Sequence, residues 1–179
     1  MGVRNFDIEK LRIVNNSQGL TFYNLKMLQL GDQMYREKSI RAKKFFEDIG
    51  TLVTSIDING EGGSLPLDLS KPINNPAYIN HFDIVTNFGT SEHVENHIMC
   101  FENMYNFTRK NGIMFNLVPR EGFWNKGSHS KVHKYTTDFF DDLAKHYSCE
   151  LLENRYITQE ERKGGGLVMS ALKKWEKYL

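Results

Sequence analysis

Two acidic residues follow short apolar runs in the manner of a nucleotide-binding site. Asp57 closes the run LVTSIDI, and Asp68 follows the apolar residues of SLPL. A fixed carboxylate at the end of a strand offers two acceptor oxygens and can bind both ribose hydroxyls of an adenosine. Between the two aspartates, residues 60–63 (GEGG) let the backbone approach a ligand closely. Either aspartate could instead make an Asx turn in a loop, and residue type alone leaves both interpretations open.

Histidines form a second group of candidate residues. His93 and His97 are separated by one turn of a predicted helix, with Glu92 beside them, and His129 and His133 repeat that spacing. Two imidazoles at positions i and i+4 face one way and can share a metal ion. Such pairs arise often by chance, so we predict no metal site and keep a metal-dependent hydrolase as a lesser alternative.

Composition limits the classes of protein to consider. The chain has 179 residues, 25% charged and 40% hydrophobic, which predicts a single domain over residues 1–179. A net charge of +1 gives no indication of nucleic-acid binding. Cys100 and Cys149 stand apart and outside any CxxC pattern, which favours a reducing, cytoplasmic location. No apolar run is long enough to span a bilayer, so we expect no membrane association.

Apolar runs and amphipathic runs alternate along the chain. We predict strands at 25–30, 52–58, 82–86, 112–118, 150–156 and 167–174, and helices at 32–49, 92–109 and 136–147. Parallel neighbours need helical crossovers, so this order predicts an α/β fold with a doubly wound, mostly parallel sheet and helices on both faces. The last two strands lack a helix between them and should form a hairpin that places one antiparallel strand in the sheet. Ligands bind such sheets beyond the carboxyl ends of the strands.

The succession MLQLGDQ, VTSIDINGEGG, SLPLDL, FDIVTNFGTSEHVEN and NGIMFNLVP resembles the class I S-adenosylmethionine-dependent methyltransferases over about residues 25–175. The resemblance implies that S-adenosyl-L-methionine is the cofactor, with its ribose on Asp57 and its adenine beside Asp68 and Leu69. It also implies that Glu92 and His93 open a helix after the fourth strand. The cofactor-binding residues implied in this way are Leu30, Gly31, Asp32, Gln33, Asp57, Ile58, Asn59, Asp68, Leu69, Asn87, Phe88, Gly89 and Glu92.

The first turn departs from the family pattern. The family has a turn such as GxGxG at this place, whereas this chain has the single glycine Gly31. Either the turn is built differently, with Asp32 or Gln33 reaching the amino group of the cofactor, or the pocket has lost tight cofactor binding. The presence of Asp57, residues 60–63 and Asp68 together favours the first alternative.

The resemblance implies methyl transfer to an oxygen or nitrogen atom of a small molecule or sugar. Transfer from a sulfonium needs mainly positioning, with a general base where the acceptor is a hydroxyl. The candidate bases are His93, His129 and His133. An apolar substrate wall is expected from Phe123, Trp124 and Tyr135, and residues 1–24 are expected to help cover the substrate pocket. The single-glycine turn keeps a non-catalytic cofactor-binding or scaffold relative as the alternative.

Overall fold

The structure, a computed structural model, describes residues 2–123 and 132–175. Its helices are α1 (Asn5–Ser17), α2 (Ala42–Asp48), α3 (His97–Phe107) and α4 (Thr137–Tyr147). Its strands are β1 (Lys26–Leu30), β2 (Met34–Tyr35), β3 (Ile40–Arg41), β4 (Leu52–Ile56), β5 (Phe82–Asn87), β6 (Thr108–Pro119), β7 (Cys149–Ile157) and β8 (Leu167–Lys174). Short 3₁₀ turns lie at Glu61–Gly63 and Ser91–His93. In this described part of the chain, every helix is too short or too polar to cross a membrane.

A six-stranded sheet in the order β4-β1-β5-β6-β8-β7 forms the centre of the fold. Strand β8 runs antiparallel to β6 and β7, and the β4-β1-β5-β6 pairs are parallel. Alternate residues of β1 enter two different cores, because successive side chains of a strand point to opposite faces. Met27 packs with α1 and α2, whereas Leu28 and Leu30 pack with α3 and α4. The prediction of a doubly wound, mostly parallel sheet with one antiparallel strand is confirmed.

The helix predicted over residues 32–49 is wrong in its first half. Residues 34–41 form the β2–β3 hairpin, and only α2 is helical. The N-terminal residue Val3 pairs with this hairpin: its N–H donates to the Met34 carbonyl at 2.9 Å, and its carbonyl accepts the Arg36 N–H at 3.0 Å. Pairing with a segment distant in sequence holds these residues extended, which local periodicity does not reveal.

The helix predicted over residues 92–109 is wrong at both ends. Asn96 caps α3 by accepting the Met99 N–H at 3.1 Å, so the regular helix begins later than predicted. At the other end, β6 begins at Thr108 directly after α3, so Thr108 and Arg109 lie in a strand and not in the predicted helix, and the strand continues through Asn111 and Gly112. The pairing of β6 with β5 is irregular there, and Asn111 has a positive φ of 58°. The Asn-Gly pair therefore forms an irregularity within a strand.

Candidate active site

A cavity of about 430 Å³ opens at the carboxyl ends of β1, β4 and β5, where ligands of such sheets bind. Its walls come from the turns after these three strands and from the segment that follows the 3₁₀ turn Glu61–Gly63. The lining residues are Gly31, Gln33, Ile56, Asp57, Ile58, Leu67, Asp68, Leu69, Ser70, Gly89, Thr90, His93, Val94 and Glu95. Of the site residues proposed from the sequence, the structure places eight around this cavity: Gly31, Gln33, Asp57, Ile58, Asp68, Leu69, Gly89 and His93.

Backbone donors fix the carboxylate of Asp57. Its Oδ2 accepts the Asp32 N–H at 2.8 Å, and its Oδ1 accepts the Asn59 N–H at 3.3 Å. A carboxylate oxygen has two acceptor sites, so each oxygen retains capacity for a second donor. The turn after β1 therefore positions the acid at the end of β4, with free acceptor capacity beside the cavity.

The turn after β1 needs only one glycine. Gly31 has a φ of +75°, and a Cβ atom there would lie 2.4 Å from Thr90 Oγ1. The Thr90 hydroxyl donates to the Leu30 carbonyl at 2.8 Å and accepts from Gln33 Nε2 at 3.2 Å. A side chain from the loop after β5 thus closes this turn, and only Gly31 must lack a side chain.

The structure separates the roles of the two polar residues that follow Gly31. Asp32 pairs with Arg41 at the base of the β2–β3 hairpin, so its carboxylate is engaged away from the cavity lining. Gln33 lines the cavity, and its bond to Thr90 uses only the amide nitrogen. Gln33, rather than Asp32, therefore remains the candidate for an ammonium group.

Asp68 makes an Asx turn and also lines the cavity. Its Oδ1 accepts the Ser70 N–H at 2.9 Å and the Ser70 hydroxyl at 2.6 Å, while Lys71 Nζ lies 3.3 Å from Oδ2. The hydrogen bonds from Ser70 lower the pKa of this carboxyl. Both interpretations of this residue hold at once, since a turn-forming aspartate borders the cavity with little acceptor capacity left on Oδ1.

Several predicted cofactor residues lie behind the cavity lining. Asn87 Oδ1 accepts the N–H groups of Thr90 and Ser91 at 3.1 Å each, and its amide nitrogen donates to Asn116 Oδ1 at 3.1 Å. Phe88 is buried against Phe115. These buried side chains support the loop after β5 without lining the cavity themselves. The other predicted residues outside the lining are Leu30, Asp32, Asn59 and Glu92.

The first candidate base lies at the cavity next to a buried acid. The His93 side chain is 46% exposed and lines the cavity. Glu92 is 2% exposed, and its Oε1 lies 3.9 Å from His93 Nε2. Burial raises the pKa of Glu92 to about 7. The loop after β5 therefore presents a solvent-accessible imidazole supported by a carboxyl group from the interior.

His133 fastens the segment after β6 to the same loop. Its N–H donates to the Glu92 carbonyl at 2.9 Å, and its ring stacks on His97 with centroids 4.0 Å apart. Burial, and secondarily His133, lower the pKa of His97. His133 is absent from the lining of the cavity, so the structure does not bring this second candidate base to the cavity.

Neither of the two described residues of the proposed aromatic wall, Phe123 and Tyr135, lines the cavity. Tyr135 is 1% exposed, and its hydroxyl donates to Ser91 Oγ at 3.0 Å, so it supports the loop from the core instead of facing the cavity. Phe123 lies over the Arg120 guanidinium at 4.2 Å. Trp124 and His129 lie outside the described residues, and their proposed roles remain predictions.

Comparisons with solved structures identify the fold of this chain. No protein-family model matches the chain, and no curated protein matches its sequence. Solved structures do match. A protein of Bacillus halodurans C-125 with a provisional methyltransferase assignment gives a TM-score of 0.69 at 14% identity over 95% of this chain and 99% of that one. The Burkholderia thailandensis 1,6-didemethyltoxoflavin-N1-methyltransferase, solved with bound 1,6-didemethyltoxoflavin and S-adenosylhomocysteine, gives a TM-score of 0.64 at 13% identity over 92% of this chain and 76% of that one. The chain has the class I methyltransferase fold.

The methyltransferase fold also occurs in an enzyme of a different kind. The [4+2]-cyclase SpnF matches with a TM-score of 0.63 at 10% identity over 93% of this chain and 80% of that one. The fold is therefore compatible with more than one reaction, and the cavity residues have to indicate which one this chain performs. Within residues 2–123 and 132–175, no group of three or more His, Cys, Asp or Glu side chains could hold a metal ion.

Thr90 was not among the residues predicted from the sequence, yet its hydroxyl completes the first turn of this methyltransferase fold. The nearest signal was its position directly after Gly89.

We expect Gly31→Ala to lower the free energy of unfolding by about 2 kcal/mol, because the positive φ costs roughly 1–2 kcal/mol and the new Cβ meets Thr90. Urea denaturation measures the loss.

Gly19→Ala is the matched control for that change. Gly19 has a φ of +70° but no heavy atom within 4 Å of an added Cβ, so its variant carries the backbone strain without the collision. In a double variant, the losses in free energy of unfolding from Gly31→Ala and Thr90→Ala should add up to less than the sum of the two single losses. Equal losses in the two glycine variants would show that Thr90 does not restrict this turn.

Proposed function

We propose that this chain transfers the methyl group of S-adenosyl-L-methionine to an oxygen or nitrogen atom of a small molecule or sugar. The observation that carries the proposal is the Asp57 carboxylate, fixed by two backbone donors at the carboxyl end of β4 and still able to accept. This acid lies on the cavity beside the single-glycine turn, in the fold of known methyltransferases.

The cavity residues fit this cofactor. Asp57 supplies acceptors for two ribose hydroxyls, and Leu69 offers an apolar border for the adenine beside Asp68. Gln33 Oε1 is the acceptor available for the ammonium group. At Gly31, an added Cβ would collide with the Thr90 hydroxyl, so the bare backbone beside the cavity is required. When bound, the cofactor supplies a methyl group already activated on a sulfonium, so the protein needs chiefly to position the acceptor and exclude water.

Two further features support the proposal: one concerns the compartment of the protein, and the other concerns the class of its substrate. Both cysteines are free thiols, which supports the proposed cytoplasmic location. Among the described residues, the wall of this cavity carries the three acids Asp57, Asp68 and Glu95, which is unfavourable for a polyanion such as nucleic acid.

Isothermal titration calorimetry with S-adenosylhomocysteine tests cofactor binding directly. We expect saturable heat at one site per chain, and the absence of heat would contradict the proposal. Incubation with methyl-labelled S-adenosyl-L-methionine and pooled small metabolites then tests transfer. Binding without label on any member of the pool would favour the alternative of a non-catalytic relative, which the single-glycine turn and the SpnF likeness keep open.

A further inference from the structure

The loop after β5 contains a buried acid with an unsatisfied oxygen. Glu92 Oε2 is fully enclosed and has no hydrogen-bond partner among the described residues. Leaving a buried polar atom unpaired costs about 1–3 kcal/mol. Such a cost persists where the group has a task, and the nearest candidate for that task is His93, whose Nε2 lies 3.9 Å from Glu92 Oε1.

The surrounding contacts hold this acid in place. The Ser91 N–H donates to Asn87 Oδ1 at 3.1 Å, and the Glu92 carbonyl accepts the His133 N–H at 2.9 Å. Among the described residues, Cys100 from α3 and Tyr135 after β6 also interact with this carboxyl, and burial raises the pKa of both, so they stay neutral. Among the described cationic side chains, only His93 lies within ion-pair distance of Glu92.

We propose that Glu92 is a positioning residue for His93, which takes the proton from a hydroxyl group of the methyl acceptor. This inference rests on the proposed function and narrows it to an oxygen acceptor. The acceptor O–H bond breaks, its proton goes to His93 Nδ1, and its electron pair stays on the acceptor oxygen. The resulting imidazolium carries its Nε2–H toward Glu92.

The chemistry of the pair favours a hydroxyl over a neutral nitrogen. A neutral amine or ring nitrogen already has a free lone pair, whereas a hydroxyl becomes a strong nucleophile only as it loses its proton. At 3.9 Å the attraction between Glu92 and His93 is electrostatic, and it strengthens when the imidazole becomes charged. A buried acid behind a cavity-lining imidazole therefore serves proton removal during the attack on the methyl group, which a neutral nitrogen with a free lone pair does not need.

The pKa of Glu92 gives the pair a measurable signature. Burial raises this pKa to about 7, so Glu92 is protonated below that pH and ionised above it. In an NMR titration of the histidine Cε1–H resonances of the protein alone, the His93 signal should follow two steps, one of them near pH 7. In Glu92→Gln the step that reports the ionisation of Glu92, near pH 7, should vanish. The midpoint of the other step, the protonation of His93 itself, should fall by about one pH unit, because the nearby negative charge is lost.

Glu95→Gln is the matched control, because Glu95 is an exposed acid on the same cavity wall. It should leave the two-step His93 curve intact, and the His81 and His146 signals should not change in any variant. A single-step curve for His93 in the wild-type protein overturns the inference, whether or not Glu92→Gln folds. Two steps that persist in Glu92→Gln also overturn it.

This titration needs neither cofactor nor acceptor, so it fails independently of the proposed function. A two-step curve in a protein that gives no heat with S-adenosylhomocysteine would preserve the pair and contradict the methyltransferase proposal. Normal binding heat with a one-step curve would retain methyl transfer and remove Glu92 from its positioning role.

Discussion

Replacing Arg162 with Met should lower the free energy of unfolding by about 3–5 kcal/mol. Arg162 is 4% exposed and Asp7 is 1% exposed, and they form a bidentate pair with bonds of 2.6 and 2.8 Å. Arg162 also donates to the Gly2 carbonyl at 3.2 Å. The pair joins α1 to the loop between β7 and β8. Loss of the Arg162 guanidinium leaves the Asp7 carboxylate buried without its cation.

The pH dependence of the loss follows from Asp7. Burial raises the pKa of this carboxyl even with Arg162 beside it. A raised carboxyl pKa in the folded state destabilises the protein above the unfolded pKa, and that penalty disappears once the group is protonated in both states. The deficit of Arg162→Met should therefore be largest near pH 7 and should shrink as the pH falls toward 4.

Urea denaturation with two further variants separates the buried charge from lost packing. Arg12→Met breaks an exposed ion pair in which the Arg12 side chain is 54% exposed and the Glu9 side chain is 50% exposed. It should change the free energy of unfolding by about 0.5 kcal/mol or less. The double variant Asp7→Leu with Arg162→Met should recover much of the loss, because no unpaired charge remains. Equal losses from the buried and exposed pairs would contradict this account.

Strand positions and the acid of the candidate site were predictable because their signals are local. The run LVTSIDI is rich in β-branched residues, and β4 ends one residue before Asp57. The carboxyl end of a parallel strand is where such sheets bind ligands, so the position of this acid follows from the strand alone. In β1, likewise, Gly31 directly follows the last residue of the strand.

Features that depend on distant partners were not predictable. The β2–β3 hairpin is extended because Val3 pairs with it, and the turn at Gly31 is closed by Thr90. Nothing in the sequence near Tyr135 distinguishes a residue of the substrate wall from one that packs on the core. Glu92 was predicted as a cofactor residue from its motif, and only its burial next to His93 indicates a different role.

Replacing Asp57 with Asn should weaken the binding of S-adenosylhomocysteine by about 100-fold, which corresponds to about 2.7 kcal/mol. A hydrogen bond to a charged group contributes about 1.5–3 kcal/mol, and the carboxylate is proposed to accept two ribose hydroxyls. An amide keeps one acceptor oxygen for the backbone N–H of Asp32 but replaces the other oxygen with a donor. Isothermal titration calorimetry of the folded variant measures the loss.

Two other aspartates calibrate the Asp57 result. Asp68→Asn should weaken binding by about fivefold or less, because Asp68 Oδ1 already accepts two hydrogen bonds from Ser70 and has less capacity for a ligand. Asp48→Asn, at the exposed end of α2 in an ion pair with Lys44, should leave the affinity unchanged. If all three variants bind S-adenosylhomocysteine as the wild-type protein does, the ribose does not contact Asp57, and the proposed placement of the cofactor in the cavity is wrong.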